Sequence, residues 1–201
     1  MTDASSLTSP PFKAWLAGAG LLIGLLCGPA HAAWDVAQLM QGLAQNKSGR
    51  ASFVEKKYIA VLEQPVESSG ELLYTAPARL EKRTLKPRPE SLLIEGASLT
   101  VERGQRRMQL RLQDYPELAA FTESIRGTLA GDIAALRRVY NLELEGSEER
   151  WTLVLRPMET RMLQVVQRIR IGGSQAEVKS IEIEQTDKDR SVMMITPLTK
   201  P

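Results

Sequence analysis

Nucleophilic and metal chemistry rely most on histidine and cysteine, and this chain of 201 residues carries one of each, Cys27 and His31. Both fall in a segment with the grammar of an export signal. Lys13 is its only cation, Ala14 to Cys27 is an apolar run, and Gly28-Pro29 breaks that run. Ala30 and Ala32 then place small residues where a signal peptidase reads. The run is shorter than the ~20 residues of a membrane span. Cys27 as a lipidated N-terminus would want a small residue before it, and Leu26 stands there. The expectation is a cleaved signal over residues 1–32 and one exported domain over 33–201.

Cleavage would take both reactive residues away. Ser-His-Asp and Cys-His catalysis, His/Cys zinc sites and disulfides are then excluded, and neither a metal nor a cofactor is expected. Paired carboxylates can work without histidine. Glu182 and Glu184 alternate with Ile181 and Ile183, so they read as solvated, as do Glu71 and Glu81. A Ser-Lys dyad finds no supporting motif around Ser91 or Ser174, and no catalytic residue is assigned. Loss of Lys13 and Asp3 with the signal leaves the formal charge at +2, too balanced for nucleic acid as a partner. The most unusual local feature is the run of five cations Arg79, Lys82, Arg83, Lys86 and Arg88. It reads either as a basic rim for an anionic headgroup or as a solvated strand. Lys82 shares parity with Leu80, so if Leu80 points inward Lys82 does too, and a buried lysine needs a reason.

The elements that would position these groups are mostly strands. Trp151, Leu153 and Leu155 alternate onto one face, followed by Val166 to Ile171, Glu177 to Glu184 and Arg190 to Ile195, with turns at Gly172-Gly173-Ser174 and Asp187-Lys188-Asp189. Upstream, strands are expected near 51–61, 68–75, 79–85, 90–95, 98–103 and 107–112. Tyr140 to Glu145 adds one more. Residues 34–46 have helical period. Leu118, Phe121, Ile125, Leu129, Ile133 and Leu136 recur at three- and four-residue steps, and Gly127 and Gly131 are expected to divide that stretch into two short helices with a pliable joint. The fold class is mainly β (α+β): a curved antiparallel sheet of about eleven strands, an incomplete barrel, with a helical lid or plug. At roughly 170 residues, one domain can be stabilised by its core alone.

A one-faced sheet must curl on itself or be capped. Its apolar interior is then either a packed core or a cavity for a hydrophobic ligand. The residues concerned are Phe53, Leu72, Tyr74, Leu80, Leu99, Val101, Trp151, Leu153, Leu155, Ile169, Ile181 and Ile183. Met108, Met158, Met162, Met193 and Met194 could line either kind of interior, being adaptable in shape.

The order of elements carries a resemblance. Ala51-Ser-Phe53, Gly70-Glu-Leu72-Leu-Tyr74-Thr-Ala-Pro77 with Leu80, and Pro89 to Gly96 with Leu99 come first. Gly131-Asp132, Trp151-x-Leu153-x-Leu155-x-Pro157, Ile181-x-Ile183 and Asp189-x-Ser191 follow. In this order and spacing they resemble the periplasmic lipoprotein carrier family (the Lol carrier and its relatives), over residues 34 to 196. The resemblance implies a periplasmic, monomeric, non-enzymatic carrier whose incomplete barrel holds acyl chains under a helical lid. Its partners would be an acylated lipid or lipoprotein, an inner-membrane donor and an outer-membrane acceptor. Few aromatics and the cation-rich third strand mark a divergent branch. An envelope sensor of the same fold is the alternative function, and a hydrolase the third.

Overall fold

The computed structural model describes residues 34–198; the expected signal segment lies outside them. The chain opens with α1 (Val36–Leu43), shorter than the expected 34–46. Asp35 caps it: its side chain accepts from Gln38 N, while Gln38 Oε1 accepts from Asp35 N, so two free amides of the first turn are satisfied together. Trp34 therefore precedes the helix and packs against the core from outside it. Leu39, Met40 and Leu43 form the buried stripe.

Six strands follow: β1 (Ser48–Tyr58), β2 (Val66–Thr75), β3 (Arg79–Lys86), β4 (Glu90–Glu95), β5 (Ser98–Arg103) and β6 (Arg106–Arg111). A 3-10 turn (Leu112–Asp114), α2 (Pro116–Ala130) and α3 (Ile133–Val139) come next. The last part is β7 (Tyr140–Ser147), β8 (Arg150–Pro157), α4 (Thr160–Leu163), β9 (Val166–Ser174), β10 (Glu177–Gln185) and β11 (Arg190–Pro197). The four-residue α4 was not expected; it buries one side chain, Met162, too little to leave a periodic signal.

All eleven strands form one antiparallel sheet in the order β6-β5-β4-β3-β2-β1-β11-β10-β9-β8-β7. β6 and β7 are its edges and do not pair, so the barrel is incomplete. Register fixes the faces, because directly opposed residues share a side. One inward row runs Leu144, Leu153, Ile171, Ile181, Met193, Glu55, Ser68 across β7 to β2. Its neighbour runs Leu142, Leu155, Ile169, Ile183, Ser191, Lys57. At the other end the rows Tyr74, Leu80, Ile94, Leu99, Leu110 and Leu72, Lys82, Leu92, Val101, Met108 line β2 to β6.

The helical insert corrects the expectation of a joint at Gly127. α2 runs unbroken through it, and a Cβ there would lie 2.8 Å from Leu136 Cδ2. Gly127 is thus the notch into which α3 packs. The break is at Gly131, which caps α2 at φ 69, and a Cβ would meet Met40 O at 2.2 Å. The corner rests on the end of α1, and Asp132 starts α3 by accepting from Ala135 N.

Candidate functional site

The inner face falls into two unlike halves. Over β7 to β9 it is dry: Trp151, Leu153, Leu155, Ile169 and Ile171 are at most 1% exposed. They form one cluster with Leu39, Met40 and Leu43 of α1, Leu136 of α3 and Met162 of α4. Trp151 donates its indole N–H to Gln175 O, and Tyr140 donates its hydroxyl to Ala120 O, so the polar atoms of the largest buried side chains are satisfied. Burial pushes the Tyr140 phenol well above its usual range. Gly173 passes directly beneath the Trp151 ring, where a Cβ would sit 2.2 Å from Cζ2. Four of the residues expected to contact ligand, Trp151, Leu153, Leu155 and Ile169, are therefore packed against the protein's own helices. Ile181 and Ile183 flank that cluster, half-buried.

Over β2 to β5 the face is looser. Phe53, Tyr74 and Leu99 are buried, but Leu72, Leu80 and Val101 keep part of their surface, as do Leu92 and Ile94 between them. None of these belongs to the packed cluster. This inward-facing apolar surface, called the trough below, is the part of the inner face whose side chains the protein leaves partly uncovered. Tyr74 adds a buried hydroxyl with no hydrogen-bond partner among the described residues. Met108 extends the trough to the β6 edge and is exposed. Met162 is core, while Met158 and Met194 are exposed on the surface.

α2 reaches this half through Arg126. Arg126 donates to the carbonyl of Gly96 in the β4–β5 turn, at 3.2 Å, and is itself held by Glu123 one turn earlier. Phe121 and Ile125 of α2 and Ile133 of α3 pack against the main core; Leu118 and Leu129 are half-buried, and Leu136 is wholly buried. The expected lid residues thus share one helical hairpin, with Leu136 as its fixed root.

Between the two halves lies a polar cluster that sequence reasoning missed. Glu55 on β1 is 4% exposed, inward on the same parity as Phe53. Lys82 Nζ donates to its Oε2 at 2.5 Å, Ser191 Oγ to its Oε1 at 2.6 Å, and Ser68 Oγ approaches at 3.4 Å. Lys57 Nζ stands 3.9 Å away. Burial raises the Glu55 pKa, but the Lys82 charge, the hydrogen bonds from Lys82 and Ser191, and Lys57 outweigh it and hold the carboxyl below the usual range. Lys82 also lies 4.9 Å from the centroid of the Phe53 ring. The parity that made Lys82 conspicuous applied equally to Phe53 and Glu55.

The five cations of the third strand do not form one rim. Arg79 and Arg83 lie on the outer face on either side of Glu81, and Arg79 also pairs with Glu95. Glu81, expected to be solvated, is 9% exposed because those two arginines close over it. Lys86 and Arg88 are exposed at the end of β3 and beyond it. Lys82 alone is turned inward. Glu182 and Glu184 lie on the outer face as expected, paired with Arg190 and Arg168. Among the described residues no three His, Cys, Asp or Glu side chains converge as a metal site would need, and no helix is long and apolar enough to cross a membrane.

A surface hollow of about 880 Å³ opens elsewhere, at the β7–β10 end, among Gly146, Arg150, Thr152, Gly172, Lys179 and Ser180. It lies away from β2 to β5, and Trp151 is among its lining residues.

A family model described as outer membrane lipoprotein carrier protein LolA-like matches residues 28–196. No curated protein matches the chain. Among solved structures, a LolA superfamily protein from Nitrosomonas europaea is 11% identical, with 84% of this chain and 96% of that one covered and a TM-score of 0.46. The MucA/MucB complex of Pseudomonas aeruginosa gives 14% identity over 84% of this chain and 59% of that one, at a TM-score of 0.48. An outer membrane lipoprotein-sorting protein domain from Vibrio parahaemolyticus gives 8% identity, 83% and 92% coverage, and a TM-score of 0.42.

Proposed function

The chain belongs to the LolA-like family of outer membrane lipoprotein carriers, and on that footing we propose that it is a periplasmic carrier rather than an enzyme. It takes an acyl chain of a lipoprotein, or of another hydrophobic envelope lipid, into the trough of β2 to β5 and moves it from an inner-membrane donor to an outer-membrane acceptor. The expected signal over residues 1–32, with a single domain from residue 33, belongs to the same proposal. The observation that carries the reading is the contrast between the two halves of one continuous inner face. Leu72, Leu80 and Val101 point inward in register yet remain partly uncovered, while the helices pack dry against β7 to β9.

The energetics suit a carrier. Each methylene removed from water contributes ~0.8 kcal/mol, so a sixteen-carbon chain gains on the order of 12 kcal/mol gross. Release then requires that α2 move and that its own contacts be restored afterwards. Its tie to the β4–β5 turn through Arg126 is a single hydrogen bond to a neutral carbonyl, weak enough to open. Mass spectrometry of lipid extracted from gently purified protein tests the proposal. A stoichiometric acylated species is the expected result; protein that carries none, and that binds no apolar dye, would reduce the trough to loosely packed core.

A further inference from the structure

We propose that the inner face selects cargo with an anionic head, a carboxylate or a phosphate next to the acyl chain, and that Lys82 is the residue that recognises it. The inference rests on the carrier reading, since it concerns the polar end of the same trough.

Three observations support it. First, the pair is unequal in access: the Glu55 side chain is 5% exposed and that of Lys82 is 22%. A molecule arriving along the trough meets the ammonium, not the carboxylate. Second, Lys82 sits in the apolar row between Leu72 and Leu92, with Val101 one strand further on. An acyl chain lying on those side chains has its polar end within reach of Lys82. Third, the charge count favours an anion. Glu55 faces two ammonium groups, Lys82 and Lys57, and takes hydroxyl hydrogen bonds as well. The cluster is one positive charge in excess, with its carboxylate fully engaged.

The geometry also explains how one lysine can serve both states. Lys82 on β3 and Glu55 on β1 are separated by β2, and the inward position of β2 between their rows is Gly70. With no side chain there, the lysine stem can lie over the strand to reach Glu55. Gly70 cannot be replaced cheaply, since a Cβ would fall 1.9 Å from Arg83 O. Glu55 thus acts as a built-in anion that neutralises Lys82 when the trough is empty. An ammonium has three N–H donors, so a cargo anion can share Lys82 with Glu55, or replace Glu55 while Ser191 and Lys57 continue to hold the carboxylate.

The test is displacement of the neutral dye N-phenyl-1-naphthylamine from the purified protein by three competitors of equal chain length: tetradecanoate, tetradecyl phosphate and tetradecanol. Wild-type protein should be emptied by the two anions at concentrations at least tenfold below the alcohol. The comparison of carboxylate with phosphate identifies which head fits better. Lys82→Met leaves Glu55 without its main partner, so the informative variant is the double change Glu55→Gln with Lys82→Met, which removes both charges together. It should bind dye and alcohol as wild type does and lose the anion preference. Glu55→Gln alone, which frees Lys82, should widen that preference. Equal potency of alcohol and anions on wild type would overturn the inference and leave the apolar carrier standing. Preference retained in the double variant would overturn the role of Lys82. Absence of dye binding altogether would overturn the carrier reading and this inference with it.

Discussion

Lys82 and Glu55 lie on strands that do not touch, and meet at 2.5 Å across the bare backbone of Gly70. A buried ion pair offsets its own desolvation only when its remaining atoms are also engaged. Here Ser191, Ser68 and Phe53 do that. Lys82→Met should therefore cost about 3 kcal/mol, the lower end of the range for breaking a buried pair, because the hydroxyls remain. The double variant with Glu55→Gln should be within about 1 kcal/mol of wild type, since both charges are gone. Urea denaturation of the four proteins of the cycle measures the coupling.

Acid should expose the same pair. The Glu55 carboxyl titrates below its usual range in the folded protein. A depressed carboxylate pKa contributes stability that is fully present above the unfolded value, about 4.3, and is lost as pH falls through the folded one. Urea midpoints measured from pH 6 downward should fall more steeply for wild type than for Glu55→Gln once that value is passed. Parallel curves would show that the pair adds nothing pH-dependent.

The two halves of the inner face should respond differently to one charge. Ile169 is fully buried between Leu155 and Ile183. Ile169→Glu places an unpaired carboxylate in the dry cluster at a cost of several kcal/mol, enough to unfold a domain of ordinary stability. Leu80 retains exposed surface in the trough, so Leu80→Glu should keep the fold and lose acyl binding. Circular dichroism melts beside dye binding separate the outcomes.

Arg126 offers a test of the proposed lid. Arg126→Ala removes the charged hydrogen bond to Gly96 and the pairing with Glu123, and should lower stability by about 1.5–3 kcal/mol. Dye release in stopped flow should become faster, with equilibrium affinity lowered to match.

Gly131 is a structural corner and not a hinge to be tuned. Its φ of 69 and the 2.2 Å approach of Met40 O mean that Gly131→Ala should destabilise by about 1–3 kcal/mol from backbone strain, before any clash is counted. Gly131→Pro demands a negative φ and should not fold. Thermal melts of the alanine variant check the first value.

Strand faces were legible in the sequence because parity is local. Trp151, Leu153 and Leu155 needed only their neighbours to be assigned inward, as did Ile181 against Glu182. What parity cannot supply is the partner across the sheet. Glu55 meets Lys82 and Ser191 through strands 27 and 136 residues away, and no local pattern links them. The inward lysine was visible; its reason was not. Gly127 misled because a glycine in a helix lowers propensity whether it marks a break or a close contact, and only the position of Leu136 distinguishes the two. The division of one apolar face into a dry half and an open half was likewise beyond reach, since Leu80 and Leu155 look the same in a strand pattern. Their difference lies in which helices come to rest above them.

The unpaired edges have a mechanical meaning. β6 and β7 are not hydrogen-bonded to one another, so no ladder fixes the girth of the sheet, and the segment that joins them along the chain is the one containing α2 and α3. If the sheet takes up an acyl chain as proposed, any flattening of its curl moves β6 relative to β7, and that movement is passed to both ends of the segment carrying α2 and α3. On that reading the segment works as a caliper, its two ends following the bulk held by the sheet.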